Sequence, residues 1–269
     1  MPTDDHSLAG RVALVPGATR GCGRATAVEL GALGATVYGS GRSTRAGRSP
    51  MDRPKTIEDT AELVSAAGGE GVAVRCDHAD ADDVGALVER IRSDHGRLDI
   101  LVNDVWGGDP FVQWGKSVWE HRLDATLGVL RNGIETHLIT SHFAIPLMLE
   151  GTGGLVVEVG DGQRDVPYRT NMPYDLVKTA VVRIGEALTS ASRRRRGARR
   201  PSEPPTSATP RRRICSAAGS PPWRPTPTGS GTPDSASAPG SSCTSTASPT
   251  STGSGRIGAP STSRPVARP

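Results

Sequence analysis

The first 190 residues alternate between short apolar runs and longer segments in which apolar residues recur at helical spacing. The apolar runs are four or five residues long and predict β-strands. The five predicted strands lie at residues 11–15, 36–39, 71–75, 99–103 and 155–159.

The segments between these runs predict helices. In residues 82–95, for example, Val84, Leu87, Val88 and Ile91 fall on one helical face, and Gly96 follows as an end signal. The five predicted helices lie at residues 24–33, 56–67, 82–95, 123–149 and 174–188. Strands that alternate with helices imply βαβ units, so we predict an α/β fold: a doubly wound, Rossmann-type parallel sheet with helices on both faces.

The character of the chain changes at about residue 190. Residues 193–269 contain no Leu, Phe, Tyr, Met, Asn, Gln or Lys and consist mainly of Ser, Thr, Pro, Gly, Ala and Arg. Such a composition buries too little apolar surface to offset the entropy of an ordered chain. We therefore predict a domain at 1–190 and a low-complexity, disordered tail at 191–269.

Two interpretations of this tail are open. It is either a natural disordered extension or the product of an out-of-frame reading of a GC-rich gene, whose shifted codons yield the same residues. The change falls inside a predicted helix, and five strands leave the sheet without a closing strand. Sequencing the gene around codon 190 separates the two interpretations.

Charge is divided unevenly along the chain. The segment 193–269 has 13 Arg against two acidic residues, a net charge of +11, so the net +4 of the whole chain leaves −7 on residues 1–192. An acidic ordered part argues against nucleic acid as the main partner, although the Arg clusters at 193–196 and 211–213 keep phosphate binding as an alternative.

Other classes of protein find little support in the sequence. The four cysteines have no metal-ligand spacing, which favours reduced thiols over a disulfide framework, and we expect no metal site. The N-terminal residues do not resemble a signal peptide, and no apolar run approaches the length that spans a bilayer. We therefore predict a cytoplasmic protein with no membrane partner.

A glycine-rich loop follows the first predicted strand. Gly17, Gly21 and Gly23 allow the backbone to turn sharply and to approach a pyrophosphate, and Thr19 and Arg20 lie within the same loop. The helix that follows presents unpaired N–H groups to an anion. The pattern predicts nucleotide binding, and an unliganded turn is the alternative.

A tyrosine and a lysine lie four residues apart near the end of the predicted domain. Tyr174 and Lys178 share one helical face, where a nearby ammonium lowers the pKa of a phenol. Such a pair is common by chance, but together with the glycine loop it predicts hydride-transfer chemistry.

In these motifs residues 8–190 resemble the classical short-chain dehydrogenase/reductase family. The family motif Thr-Gly-x-x-x-Gly-x-Gly is matched by residues 16–23, and Tyr174 and Lys178 match the family's catalytic pair. Asp77 resembles its adenine-binding aspartate, and Asn103 begins a segment that corresponds to the family's Asn-Asn-Ala-Gly. The resemblance implies an NAD(P)-binding Rossmann-type domain at 1–190, incomplete at its C-terminal end.

The choice of cofactor depends on the end of the second strand. In this fold an acidic residue there binds the ribose 2′-hydroxyl of NAD, whereas arginine accommodates the 2′-phosphate of NADP. Arg42 stands there with no acidic residue, and Arg20 adds a second cation. We predict NADP(H) in preference to NAD(H).

The resemblance also implies a mechanism and partners. The nicotinamide delivers a hydride to a small-molecule carbonyl, Tyr174 gives a proton to its oxygen, and Lys178 binds the nicotinamide ribose and lowers the tyrosine pKa. Trp106, Trp114 and Trp119 are candidates for a substrate pocket, with ordinary packing as the alternative. Family members form homo-oligomers through C-terminal elements that are not recognisable here, so we do not expect this chain to form that oligomer. Because the same elements are missing from the pattern, we also expect the chain to fold poorly or to bind cofactor weakly.

One departure bears directly on catalysis. The family's serine, which donates a hydrogen bond to the substrate carbonyl, is replaced by Asp161, and an ionised carboxylate only accepts hydrogen bonds. Either Asp161 is protonated, or a group such as Gln163 substitutes, or carbonyl chemistry is impaired. The last case leaves a cofactor-binding pseudoenzyme as the alternative function.

Further departures affect supporting positions. The family's helix asparagine falls near Gly133, one residue from Asn132 in this chain, and Pro16 replaces the threonine of the glycine motif. Asp104 and Val105 also differ from the Asn-Ala of the family pattern.

Overall fold

A computed structural model describes residues 6–48, 51–151, 153–161, 170–197 and 214–218. The described residues contain a single parallel sheet of six strands in the order β3-β2-β1-β4-β5-β6. The strands are β1 Val12–Pro16, β2 Thr36–Gly41, β3 Glu70–Arg75, β4 Ile100–Asn103, β5 Leu155–Gly160 and β6 Ile214–Ala218.

Helices connect the strands and cover both faces of the sheet. They are α1 Gly21–Ala32, α2 Ile57–Ala66, α3 Ala81–His95, α4 Leu123–Leu130, α5 Thr136–Glu150 and α6 Met172–Gly197. A short 3₁₀ turn, Val118–Glu120, precedes α4, and a π-helical turn, Arg131–Glu135, joins α4 to α5. The prediction of a doubly wound, Rossmann-type parallel sheet is confirmed.

The two faces of the sheet are formed by alternate residues of its strands. In β1, Ala13 and Val15 pack with Val37 and Val64 toward α1 and α2. Leu14, by contrast, belongs to a cluster with residues of α3 and α5, and Leu188 of α6 packs against that cluster. Because strand side chains alternate in direction, a run that is apolar at every position requires a layer of helices on each side.

Local signals define several helix boundaries. Thr56 caps α2 in a capping box with Asp59, and the Asp80 side chain accepts from the first backbone N–H groups of α3. Gly96 ends α3 with φ 63°, a left-handed conformation that glycine adopts without a steric penalty.

A sixth strand was not predicted from the sequence. β6 pairs in parallel with β5, from Val156↔Ile214 to Gly160↔Ala218. Its sequence, Ile-Cys-Ser-Ala-Ala, is short, has one large aliphatic residue and lies within the segment predicted to be a disordered tail, so no strand was predicted there. The backbone edge of β5 supplies the pairing. The sheet therefore has one strand more than the five predicted.

The last helix is longer than predicted. α6 ends at Gly197, so it continues past the position at which the sequence changes character. The division into a 1–190 domain and a 191–269 tail stays a prediction, because residues 198–213 and 219–269 lie outside the described part of the chain.

The strand order places a crevice at the carboxyl ends of β1 and β4. In the sheet, β1 lies between β2 and β4. The chain runs from β1 outward through β2 to β3 on one side and then continues from β4 on the other side, so the strand order reverses at β1 and β4. Ligands of doubly wound sheets bind in such a crevice. Gly17 follows β1 there, and Asp104 follows β4.

Candidate active site

The glycine loop is tightly packed on one side and open on the other. Gly17 has φ 81°, and a Cβ at this position would lie 2.1 Å from the carbonyl oxygen of Asp104. At Gly23 a Cβ would lie 2.6 Å from the carbonyl oxygen of Gly17. Gly21 has φ 59°, but no atom lies within 4 Å of its Cβ position. The loop therefore leaves open space beside Gly21, at the first turn of α1.

Three arginines lie close together near this space. Arg42, which follows β2, pairs with Asp77 at 3.8 Å, and Arg53 pairs with Asp109 at 2.9 Å. Arg20 lies 3.6 Å from the same Asp109 carboxylate. Burial lowers the pKa of Arg20, and the positive charges of Arg53 and Arg42 lower it further, while Asp109 opposes the shift. Because the cluster has three guanidinium groups, it is suited to an anion that carries more negative charge than a single carboxylate.

Two of the predicted cofactor residues occupy different settings. Asp77, after β3, is one-third exposed and accepts the backbone N–H of Ala79 while it faces Arg42. Asn103 is completely buried, and its amide donates to the His137 carbonyl at 3.3 Å. The Oδ1 atom of Asn103 has no hydrogen-bond partner among the described residues. Thr19 is also buried, and a Cβ added at Gly41 would lie 2.6 Å from the Thr19 hydroxyl.

The three predicted catalytic residues lie together at the other end of the crevice. The hydroxyl of Tyr174 donates a hydrogen bond to the Asp161 carboxylate. The Nζ atom of Lys178 lies 5.5 Å from the centre of the Tyr174 ring and 4.8 Å from the nearer ring of Trp106. The helix thus places the phenol and the ammonium side by side, as the spacing of four residues predicts.

Asp104 links this group to the glycine loop. Its carboxylate accepts the backbone N–H of Gly23 and interacts with the charge of Lys178. Burial raises the pKa of Asp104 to about 6, although Lys178, Gly23 and His137 each act in the opposite direction. Tyr174 and Lys178 therefore share one crevice with the glycine loop.

Comparison with known proteins agrees with this arrangement. Residues 11–196 match the family model for the short chain dehydrogenases. The chain belongs to the short chain dehydrogenase family.

Two relatives illustrate the range of similarity. A mouse protein named dehydrogenase/reductase SDR family member 1 is 33% identical over 180 residues, which are 66% of this chain and 54% of that protein. A 7alpha-hydroxysteroid dehydrogenase of Clostridium sardiniense is 29% identical over 174 residues, 65% of this chain and 62% of that protein. The chain thus spans about half the length of its first-ranked curated relatives.

Solved structures show the same fold. A metagenomic short-chain oxidoreductase in complex with NADP has a TM-score of 0.63 at 21% identity, covering 78% of this chain and 82% of its own. A short-chain dehydrogenase/reductase from Burkholderia xenovorans has a TM-score of 0.59 at 27% identity, covering 70% of each chain.

The aromatic residues of this short chain dehydrogenase divide into two groups. Trp106 makes an edge contact with the Tyr174 ring at 5.5 Å between centroids, and Trp114 a tilted contact at 5.3 Å. Trp119 is 86% exposed. Of the three tryptophans considered for a substrate pocket, the structure brings Trp106 and Trp114 to the tyrosine.

A buried histidine–glutamate pair supports the segment that carries Trp106. Nδ1 of His137 lies 2.6 Å from the Glu158 carboxylate, and Nε2 lies 3.1 Å from the Val105 carbonyl. Both ring nitrogens therefore face oxygen atoms of other elements. Ser141 donates to the same carboxylate. This pair fixes the backbone of Val105, and sequence reasoning missed it because its two residues lie on different elements.

The family's helix asparagine has no counterpart at Gly133. A Cβ at Gly133 would lie 2.5 Å from Val177 and 3.0 Å from Trp106, so this position holds no larger side chain without rearrangement. The neighbouring Asn132 donates from its side chain to the Gly128 carbonyl, and its own carbonyl accepts from Gly107. Asn132 thus supports the segment after β4.

The remaining expectations have mixed outcomes. Cys22 is disulfide-bonded, which corrects the expectation of reduced thiols, whereas Cys76 is a free and buried thiol whose pKa burial raises to about 12. Gln163, the proposed substitute for the serine, lies outside the described residues, as does the 211–213 arginine cluster.

Neither a metal site nor a membrane-spanning helix is found among the described residues. No cluster of three or more potential metal ligands occurs there. No helix in the same ranges has both the length and the apolar character needed to cross a bilayer.

Proposed function

We propose that this chain is an NADP(H)-dependent oxidoreductase that interconverts a carbonyl compound and an alcohol. The observation that carries the proposal is the connection from the Tyr174–Lys178 pair through Asp104 to the backbone of Gly23. It brings a proton donor and an ammonium to the crevice that the glycine loop opens.

The residues present fit the cofactor. Gly17 and Gly23 allow close approach of the backbone, and the space beside Gly21 accepts a pyrophosphate. Arg42, Arg20 and Arg53 supply the positive charge that a ribose 2′-phosphate requires, and no acidic residue stands in β2. This charge favours NADP(H) over NAD(H).

Each side chain then has a defined task in the reaction. Bound NADPH supplies a hydride to the carbonyl carbon. The Tyr174 hydroxyl gives its proton to the carbonyl oxygen, and the Lys178 ammonium stabilises the negative charge that develops on the phenol. Trp106 and Trp114 contact the phenol ring and hold it in position.

The hydrogen bond between Tyr174 and Asp161 favours a second candidate. A phenol that donates to a carboxylate is not directed at a substrate, and the carboxylate disfavours the negative charge of a nascent alkoxide. A pseudoenzyme that binds NADP(H) without turnover is therefore the alternative function.

The decisive experiment titrates NADPH and NADH against the purified chain and then adds a panel of ketones and aldehydes. Arg42→Ala is expected to weaken NADPH binding about 10- to 100-fold and to leave NADH binding nearly unchanged, because a charge-assisted phosphate contact is lost. Arg48→Ala is the matched control, since Arg48 pairs with Asp52 on the exposed surface of the same loop.

The outcomes separate the candidates. Oxidation of NADPH by a carbonyl substrate supports the oxidoreductase, and tight NADPH binding without oxidation supports the pseudoenzyme. Equal affinity for the two cofactors, unaffected by Arg42→Ala, would refute the NADP(H) assignment.

A further inference from the structure

The substrate end of the crevice combines a carboxylate with aromatic rings. The Tyr174 ring is flanked by Trp106 and Trp114, and Asp161 is bonded to the Tyr174 hydroxyl. Both Asp161 and Trp114 are exposed, so a ligand can reach them from solvent.

Such a combination recognises cations. The faces of tryptophan and tyrosine rings attract positive charge, and a carboxylate adds a full negative charge. Lys178 already illustrates the first effect, with its ammonium 4.8 Å from the Trp106 ring. A neutral carbonyl compound would gain from neither interaction.

The carboxylate of Asp161 also affects the energy of the charge that hydride addition creates or removes on the substrate. When a hydride adds to a carbonyl, negative charge develops on oxygen, and a carboxylate beside that atom raises the barrier. When a hydride adds to an iminium ion, the positive charge on nitrogen disappears and the product is neutral. Measured from the free substrate, as kcat/KM, the carboxylate therefore raises the energy of the carbonyl transition state, which becomes anionic, but not that of the iminium transition state. Before the step, the same carboxylate holds the cation in place.

We propose that Asp161 directs this site toward iminium ions, so that its preferred reaction is the reduction of a C=N⁺ bond to an amine. The proposal rests on the proposed hydride transfer from NADPH and names its substrate class. The substrate class is a cyclic or N-substituted iminium ion flanked by apolar groups that contact Trp106 and Trp114.

The step balances without a further reagent. A C–H bond of the reduced nicotinamide would break and leave NADP⁺, the two electrons of that bond form the new C–H bond of the substrate, and the π pair of the C=N bond becomes the lone pair of nitrogen. The product is a neutral amine, and no proton transfer from Tyr174 is required. The phenol therefore retains its hydrogen bond to Asp161, which the structure shows in place.

Binding is measured first, without cofactor. Isothermal titration calorimetry compares N-methyl-3,4-dihydroisoquinolinium, a permanent cation, with 1-tetralone, a neutral ketone of similar size and shape. The wild-type chain is expected to bind the cation at least 10-fold more tightly than the ketone. Asp161→Asn is expected to remove most of this preference, and Asp161→Glu to restore part of it, because charge is restored on a longer side chain.

Two further variants test the geometry. Trp114→Ala removes an exposed aromatic face and is expected to weaken cation binding several-fold without changing NADPH affinity. Asp124→Asn is the matched control: it removes one exposed carboxylate, paired with Arg122 on α4, and is expected to leave binding of both probes unchanged.

Turnover is measured second, as oxidation of NADPH in the presence of each probe. The value of kcat/KM for the iminium ion, divided by that for the ketone, is expected to fall at least 10-fold in Asp161→Asn. Wild-type preference for the ketone, or Asp161→Asn with an unchanged ratio, would overturn the iminium assignment while leaving NADP(H)-dependent reduction intact. Cation binding that depends on Asp161 but gives no NADPH oxidation with either probe would overturn the reduction itself, and with it the proposed function.

Discussion

The cofactor end of the crevice is lined mainly by backbone atoms, and the substrate end mainly by side chains. The cofactor end consists mainly of backbone: Gly17 and Gly23 approach Asp104 and each other so closely that no side chain fits between them. The substrate end consists of side chains, with Asp161, Tyr174 and Trp114 each reaching in from a different segment. A side chain at Gly17 or Gly23 would displace the backbone, whereas the side chains of the substrate end can change one at a time.

The departures from the family pattern have different consequences at the two ends. At the cofactor end the glycines of the motif are present, and the replacement of threonine by Pro16 leaves β1 paired with β2 through its full length. At the substrate end Asp161 replaces a hydrogen-bond donor by an acceptor, which alters the chemistry without altering any strand. Similarity of fold therefore says more about the cofactor than about the substrate.

The largest expected effect belongs to the substrate end. Tyr174→Phe removes the hydroxyl and is expected to lower turnover of a carbonyl substrate about 10²- to 10⁴-fold, the usual contribution of a positioned acid. NADPH affinity, measured by fluorescence titration, is expected to stay within twofold of wild type. A variant that keeps most of its carbonyl turnover would show that another group donates the proton.

The cofactor end can be tested through two glycines that share a left-handed conformation. Gly17→Ala brings a Cβ to 2.1 Å from the Asp104 carbonyl oxygen and is expected to cost about 3 kcal/mol or more of unfolding free energy. Gly21→Ala meets no atom within 4 Å and is expected to cost only the backbone strain, about 1–2 kcal/mol. Denaturant unfolding of both variants measures the difference. Equal costs would show that close packing is not what requires glycine at 17.

Asp104 lies between the two ends, and its ionisation depends on pH. Because burial raises its pKa to about 6, the folded chain retains a proton that the unfolded chain releases above about pH 4. Stability is therefore lost as pH rises from about 4 to 6, by on the order of 3 kcal/mol. Asp104→Asn, which restores the family residue, is expected to abolish this loss.

Thermal unfolding of wild type and Asp104→Asn at pH 4.5 and pH 7.5 checks the sign of this effect. The variant is expected to be the more stable at pH 7.5 and to differ little at pH 4.5. A variant that is less stable at pH 7.5 would show that the contacts of the carboxylate with Gly23 and Lys178 outweigh its burial.

The smallest effect concerns the counterion of the arginine cluster. Asp109 pairs with Arg53 and Arg20, and it also accepts a hydrogen bond from Trp106. Asp109→Asn removes the competing charge and keeps an acceptor for Trp106, so NADPH affinity is expected to rise about 3- to 10-fold.

A matched control for this charge change is Asp52→Asn. Asp52 pairs with Arg48 on the exposed surface, and its replacement is expected to leave NADPH affinity unchanged. Weaker NADPH binding by Asp109→Asn would indicate that the carboxylate holds the arginines in their binding position rather than competing with the phosphate.

Much of the fold and part of the site could be read from the chain itself. The glycine loop, Tyr174 and Lys178 were found because each lies in a local pattern of fixed spacing. Arg53 lies between β2 and α2, and its approach to Asp109 could not be foreseen, because the two residues lie far apart in sequence. The His137–Glu158 pair and the parallel pairing of β6 with β5 were missed for the same reason.

By itself the sequence determined the period of its apolar residues, and thereby the alternation of strands and helices, the parallel sheet and the loop that follows its first strand. These features depend on neighbours within a few residues, where covalent geometry limits the possible arrangements. Only the tertiary structure decided which charges face one another: that Asp161 meets the Tyr174 hydroxyl, that Asp104 joins Lys178 to the backbone of Gly23, and that three arginines converge near one crevice. Those contacts join separate elements, and no local spacing encodes them, because the energy of a charge depends on its surroundings after the chain has folded.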